Sequence, residues 1–181
     1  MIEDGENARA LILAPFSAHQ LDKLRQTIDT CYESWFDTRR IYDTVELISR
    51  LSKEQIKVLV IEADFVFAEV FEKVPSLRFV GICRNTTTHV EVEAATTHGV
   101  LVVNTPDRNA QAVAELALGL MLSLSRRIPT AHVYVTDGLW QNPIHPYVSM
   151  RGSELSGRTI GIIGLGSIGL RLASMATALG M

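Results

Sequence analysis

Apolar runs of strand length alternate with segments of helical period along nearly the whole chain, and this alternation constrains the fold more than any other feature. The runs are Ala10 to Ala14, Cys31 to Phe36, Lys57 to Ile61, Leu77 to Cys83, Val100 to Asn104 and Thr159 to Ile163. Between them lie amphipathic stretches at Ala18 to Ile28, Val45 to Leu51, Phe67 to Val74, Val90 to His98, Ala110 to Arg126 and Ile168 to Leu179. Strands that are continuously rich in Val, Ile and Leu have no polar face to offer water, so helices must cover both faces of a parallel sheet. The fold class is α/β. Five runs ending near Asn104 complete one small doubly wound sheet. The sixth opens a second after a long interval that holds the helix from Ala110, a helical stretch from about Pro129 to Gly138, and a loop, Trp140 to Tyr147, rich in turn formers. Two domains are expected, 1–104 and 105–181, the second incomplete.

The sixth run leads into the most specific motif. Thr159-Ile160-Gly161-Ile162-Ile163 is followed by Gly164-Leu165-Gly166-Ser167-Ile168-Gly169 and then by Leu170, Leu172, Ala173 and Ala176. Strand, G-x-G-x-x-G and helix in this order make a dinucleotide cradle: Gly164 permits a tight turn, Gly166 lets backbone approach a pyrophosphate, and Gly169 lets the helix pack close to the strand. Free amides at the helix start then face the anion. The same context serves S-adenosylmethionine, and the usual arbiter is an acidic residue ~20 positions on that accepts ribose hydroxyls. From Gly164 to Met181 there is no Asp or Glu.

Composition removes other classes. With 47% hydrophobic and 20% charged residues the chain is globular, and a formal net charge of -3 gives no electrostatic basis for nucleic acid or an anionic membrane as partner. Ala110 to Leu124 is apolar but shorter than the ~20 residues of a membrane span, and it contains Gln111, Glu115 and Ser123, so it reads as a buried helix. The acidic start, Met1 to Glu6, has no apolar core and so no secretory character. Cys31 and Cys83, the only cysteines, lack C-x-x-C spacing and sit in strand-like sequence, as expected of buried free thiols in a reducing cytoplasm. No metal is expected, since H-E-x-x-H and paired Cys/His ligands are absent, and neither G-x-x-x-x-G-K-[ST] nor G-x-S-x-G occurs. Asp107-Arg108-Asn109 reads as capping chemistry for the helix from Ala110, and Arg126-Arg127 as cations at its negative end.

A wider resemblance joins these pieces. The stretch Gly99-Val100-Leu101-Val102-Val103-Asn104-Thr105-Pro106-Asp107-Arg108-Asn109-Ala110-Gln111-Ala112-Val113-Ala114-Glu115 resembles the interdomain signature of the D-isomer-specific 2-hydroxyacid dehydrogenases, which include the phosphoglycerate dehydrogenases. Gly152-Ser153-Glu154-Leu155-Ser156-Gly157-Arg158-Thr159-Ile160-Gly161-Ile162-Ile163-Gly164 is similar to the segment that leads into that family's NAD domain. The match covers essentially the whole chain and about the first half of a typical member. It implies a flavodoxin-like substrate-binding domain hinged to a Rossmann domain with a cleft between them, NAD as cofactor with NADP left open, dimerisation through the Rossmann domain and its leading helices, and a small 2-hydroxy or 2-oxo acid as substrate. Ser167 and Ile168 match positions that lie against the pyrophosphate, and Asn85 matches one in the loop after the fourth strand that approaches the nicotinamide and the substrate carboxylate.

That loop departs from the family pattern of glycines followed by an Asn-Ile/Val-Asp triplet: it reads Arg84-Asn85-Thr86-Thr87-Thr88-His89-Val90-Glu91. Arg84, Asn85 and Thr86 are the candidate substrate-binding residues, with Arg84 as a cation for an acid. The family's carboxylate-binding arginine and its proton-transferring histidine and glutamate fall beyond residue 181. His19 begins the first helix, His89 and His98 flank a short helix, His132 lies on a polar helical stretch and His145 sits in the Pro-rich loop, and none of the five matches that histidine. No catalytic residue is assigned, and the chain is expected to be an inactive fragment of an NAD(P)-dependent oxidoreductase acting on a D-2-hydroxy acid. The alternatives are an NADH-sensing binding protein of the corepressor type and, less compatible with the interdomain signature, a methyltransferase. A half-built Rossmann sheet would also expose an apolar edge prone to association.

Overall fold

The computed structural model describes residues 8–181, so the acidic start Met1 to Glu6 lies outside it. The chain divides into two compact units, Met1–Pro106 and Asp107–Met181.

The first unit is a five-stranded parallel sheet in the order β2-β1-β3-β4-β5, the flavodoxin-like arrangement. The strands are β1 (Arg9–Ile12), β2 (Asp29–Tyr32), β3 (Val58–Ile61), β4 (Phe79–Ile82) and β5 (Leu101–Asn104), linked through helices α1 (Ala18–Arg25), α2 (Trp35–Thr38), α3 (Thr44–Lys53), α4 (Ala68–Lys73) and α5 (Val92–Thr97). Register is in phase across the sheet, with Leu11 opposite Leu59 and Leu59 opposite Val80. One core gathers Leu11, Leu47, Leu51, Leu59, Ile61, Val70, Phe71, Val80 and Ile82, all essentially inaccessible to water. Leu47 and Leu51, one helical turn apart, turn α3 onto it. That helix is started by a capping box in which Glu46 N donates to Asp43 Oδ1 at 2.8 Å and Asp43 N to Glu46 Oε2 at 3.5 Å.

Three expectations are corrected in this unit. The second run yields a strand at Asp29–Tyr32 rather than Cys31 to Phe36. Asp29 and Thr30, although polar, pair with Arg9 and Ala10 on an edge where Arg9 and Asp29 also form an ion pair at 3.1 Å. The run then breaks because the Ser34 hydroxyl accepts from Phe36 N at 3.1 Å and starts α2. Coverage of both faces fails at β5, where Leu101 and Val103 are exposed. The cysteines are free, but half-buried rather than buried.

The second unit is helical: α6 (Ala110–Ser125), α7 (Ile128–Thr136), α8 (Ile144–Ser149) and α9 (Ser167–Ala178). Buried Ala110 and Ala114 on α6 and buried Gly169 and Ala176 on α9 are the small residues of the two helices that pack together. Thr159 to Ile163, expected as a strand, joins no ladder, because no strand lies alongside it among the described residues to accept or donate its hydrogen bonds. The loop from Trp140 contains a helix, since the Asn142 side chain accepts from Ile144 N at 2.8 Å and Pro143 presets helical φ, so His145 sits on α8. The stretch around His132 is not polar: Val133 and Val135 on α7 are exposed. Asn109 stands at the N-cap of α6 but makes no side-chain capping bond, with Asp107 O accepting Ala110 N at 3.1 Å instead. No helix among the described residues is long and apolar enough to cross a membrane.

Candidate functional site

The glycine turn is built by local backbone demands. Gly164 has φ +93, open only to a residue without a Cβ. Gly166 is the N-cap of α9, and the first helical bond runs from Leu170 N to Gly166 O at 2.9 Å. No side chain caps this end, so the amides at Ser167, Ile168 and Gly169 have no intrahelical acceptor and the helix presents its positive end undiminished. A Cβ on Gly169 would lie 2.3 Å from Gly164 O, which is why turn and helix can close on each other only here. A Cβ on Gly166 meets no protein atom within 4 Å, so the space in front of it is open. Glycine is therefore required at 169 by the fold, whereas at 166 it keeps open space beside three donor amides. That combination fits a diphosphate.

Arg84, Asn85 and Thr86 follow β4 in the first unit, and all three are exposed. Their backbone is tied to β5: Thr105 N donates to Ile82 O at 3.0 Å and to Arg84 O at 3.2 Å, and Asn104 Nδ2 donates to Asn85 O at 2.8 Å. The segment is thus fixed while its side chains remain presented. Behind it His89 is buried, its ring edge-on to Phe65 at 6.3 Å, and neither ring nitrogen has a hydrogen-bond partner. Burial, with a smaller contribution from the charge of Arg84, lowers the His89 pKa, so the ring is held neutral.

Two carboxylates at the end of β3 escape sequence reasoning. Glu62 accepts from Trp35 Nε1 at 3.1 Å, and Asp64 accepts from Tyr42 N at 3.0 Å while its second oxygen is buried without a partner. Burial raises the Asp64 pKa against the opposing backbone hydrogen bonds. The only available signal was the position of Glu-x-Asp directly after the apolar run Val58 to Ile61. A third polar group lies beside β2: Tyr42 OH donates to Glu33 Oε2 at 2.7 Å, Arg50 pairs with the same carboxylate, and Cys31 Sγ approaches it at 3.4 Å. Burial pushes Glu33 up, but hydrogen bonds from Tyr42 and Cys31 and the charges of Arg50 and Arg40 outweigh it and leave its pKa lowered. Burial and the bond to Glu33 push the Tyr42 phenol up to about 12.

Among the described residues no histidine is hydrogen-bonded to a carboxylate: His98 Nδ1 contacts Ala94 O at 2.9 Å, His145 stacks on Tyr134 at 5.8 Å, and His89 has no polar partner. No group of three or more His, Cys, Asp or Glu among them could hold a metal ion.

The chain is 38% identical over 170 residues to the Bacillus subtilis protein named 2-hydroxyacid dehydrogenase YoaD, covering 93% of this chain and 49% of that protein. It is 37% identical over 145 residues to the D-3-phosphoglycerate dehydrogenase of Methanocaldococcus jannaschii, covering 76% of this chain and 27% of that one. Among solved structures, a D-isomer specific 2-hydroxyacid dehydrogenase described as NAD-binding, from Polaromonas sp. JS6 66, superposes with a TM-score of 0.81 at 29% identity over 96% of this chain and 53% of its own. The TT0316 protein of Thermus thermophilus does so at 0.80 and 29%, over 96% and 54%. The chain therefore spans about half the length of these relatives, or less. The family described as D-isomer specific 2-hydroxyacid dehydrogenase, catalytic domain, matches residues 10–178, and the chain belongs to it.

Proposed function

We propose that this chain is part of an NAD(P)-dependent oxidoreductase that acts on the CH–OH group of a small D-2-hydroxy acid. The observation that carries the reading is the turn from Gly164 to Gly169, with an uncapped helix start behind open space at Gly166. In this reading the unit from Asp107 begins a dinucleotide-binding domain, and the unit up to Pro106 binds the acid. NAD(P), when bound, supplies the hydride acceptor or donor. The amides at Ser167, Ile168 and Gly169 hold the pyrophosphate, and Asn85 lies toward the nicotinamide. Arg84, Asn85 and Thr86 receive the substrate carboxylate, Arg84 through its guanidinium and the others through amide and hydroxyl donors.

Residues 8–181 offer no histidine paired with a carboxylate, so the reading assigns them binding and orientation and no proton transfer. A homodimer is part of the same proposal. Leu116, Leu120 and Leu124 recur at four-residue spacing on α6 and are 63%, 62% and 83% exposed, an apolar stripe suited to a second copy.

The test is spectroscopic. The 181-residue chain is mixed with NADH and the cofactor fluorescence followed; binding is expected, with no reduction of pyruvate or hydroxypyruvate by NADH and, in a separate mixture, no reduction of NAD+ by D-lactate or D-glycerate. A protein extended to the length of its relatives should oxidise a D-2-hydroxy acid and lose affinity for it on Arg84→Ala. No NADH binding, or preference of the extended protein for L-acids, would refute the assignment.

A further inference from the structure

The second unit contains a cavity of about 690 Å³ that is not the glycine turn. Its wall includes Ser156 and Arg158, which flank Gly157, and Gly157 N donates to Gly180 O at 2.8 Å, just past the far end of α9. The 12 residues of that helix rise about 18 Å, so this wall is pinned at the opposite end of α9 from the amides at Ser167 to Gly169.

The lining is cationic. Arg126, Arg151 and Arg158 border the cavity with Ser153 and Ser156, against a single carboxylate, Glu154. Among the described residues these three guanidiniums make no ion pair and no side-chain hydrogen bond, whereas Arg9, Arg25, Arg40 and Arg50 of the first unit each hold a carboxylate. Arg126 follows the end of α6, where a cation suits the helix dipole, but Arg151 and Arg158 lie in the segment between α8 and α9. That segment is anchored at both ends. Ser153 N donates to Ser125 O at 2.9 Å, and Gly152 passes so close to α6 that a Cβ there would stand 2.5 Å from Ser125 O. At the other end, besides the Gly157 bond, a Cβ on Gly180 would lie 2.9 Å from Ser156 Oγ. The backbone that carries Arg151 and Arg158 is thus fixed before any ligand arrives, which leaves only their side chains to be ordered on binding.

We propose that this cavity binds a small, multiply charged oxyanion, separately from the dinucleotide turn. Guanidinium forks match the planar or tetrahedral oxygens of carboxylates and phosphates, the serine hydroxyls add donors, and the volume is that of a small-molecule site. With Glu154 present the lining favours an anion that carries more than one charge.

The experiment is titration calorimetry with inorganic pyrophosphate and, separately, with citrate, on the unaltered chain, on R151Q/R158Q and on G166A. At least one of the two anions is expected to bind, identifying the ligand as phosphate-bearing or polycarboxylate. Its affinity should fall roughly tenfold or more in R151Q/R158Q, from the loss of two charge-assisted contacts, and that arginine-dependent binding should persist in G166A even where the glycine turn loses its own share of pyrophosphate binding. Binding by neither anion, equal affinity in the double variant, or loss confined to G166A would overturn the proposal. Both arginines are exposed, and circular dichroism of R151Q/R158Q checks that its fold is kept.

Discussion

Two glycines three residues apart in one turn should answer to a methyl group differently, one through stability and the other through binding. At Gly169 the added Cβ would sit 2.3 Å from Gly164 O, far inside the ~3.5 Å optimum for non-bonded heavy atoms. The obstructing atom is backbone in a turn already at φ +93 and cannot rotate aside as a side chain would. Overpacking costs about 1–3 kcal/mol. Reduced freedom of the unfolded chain returns about 0.4–1 kcal/mol. A backbone clash belongs at the upper end, so Gly169→Ala should lose about 2 kcal/mol, or about 4–8 °C in Tm. At Gly166 φ is -73 and the Cβ meets nothing within 4 Å, so Gly166→Ala should change stability by less than about 1 kcal/mol, the reduced freedom of the unfolded chain being offset by the poorer N-cap preference of Ala. It should nevertheless weaken dinucleotide binding, because the methyl fills the space in front of the donor amides. Urea unfolding followed through Trp140, in the second unit, reads the stability, and NADH fluorescence reads the binding. Equal destabilisation by both substitutions, or full binding by Gly166→Ala, would refute the reasoning.

Other expectations are as concrete. His89→Leu removes a buried ring with two unpartnered nitrogens and should raise stability by about 1–2 kcal/mol. In the unaltered chain the lowered His89 pKa makes the unfolded state take up the proton first. Its stability contribution is complete above pH 6.5, declines as pH falls from there through the folded-state value, and that part of the decline should vanish in His89→Leu unfolding curves. Glu33 has the carboxylate sign: its stabilisation is present above 4.5 and lost as pH falls through its lowered folded-state pKa. Glu33→Gln should cost about 1 kcal/mol near neutrality and flatten the acid limb of urea titrations. Gly152→Ala places a Cβ 2.5 Å from Ser125 O and 2.8 Å from Arg126 Cα and should destabilise the second unit by about 1–3 kcal/mol, read by thermal melting.

What could be read from the chain divides along physical lines. Strands β1, β3, β4 and β5 were legible because each lies in a continuous apolar run, and their parallel arrangement followed from the lack of a polar face, whereas β2, with Asp29 and Thr30, was misplaced by the apolar run that begins at Cys31. The glycine turn was legible because its demands are local: a positive φ at Gly164 and a close approach at Gly169 depend on residues only a few positions away. Thr159 to Ile163 misled for the converse reason. Apolar sequence permits a strand, but a ladder needs a neighbour, and none lies beside it among the described residues. The short helices α2 and α8 hid inside an apolar run and a Pro-rich loop because single capping contacts, from Ser34 and Asn142, decide them. Burial of His89, and the carboxylates Glu62 and Asp64 held by Trp35 and Tyr42 from 27 and 22 residues away, are products of tertiary packing that no local pattern announces.

The most direct test of the central claim is a ¹⁵N–¹H correlation spectrum of the 181-residue chain titrated with NADH and, separately, with S-adenosylmethionine. If the turn holds a dinucleotide pyrophosphate, the amides of Ser167, Ile168 and Gly169 should move first and furthest with NADH, downfield as charge-assisted bonds form, and stay in place with S-adenosylmethionine. Unmoved amides at those three positions under saturating NADH, or a response to S-adenosylmethionine alone, would contradict it.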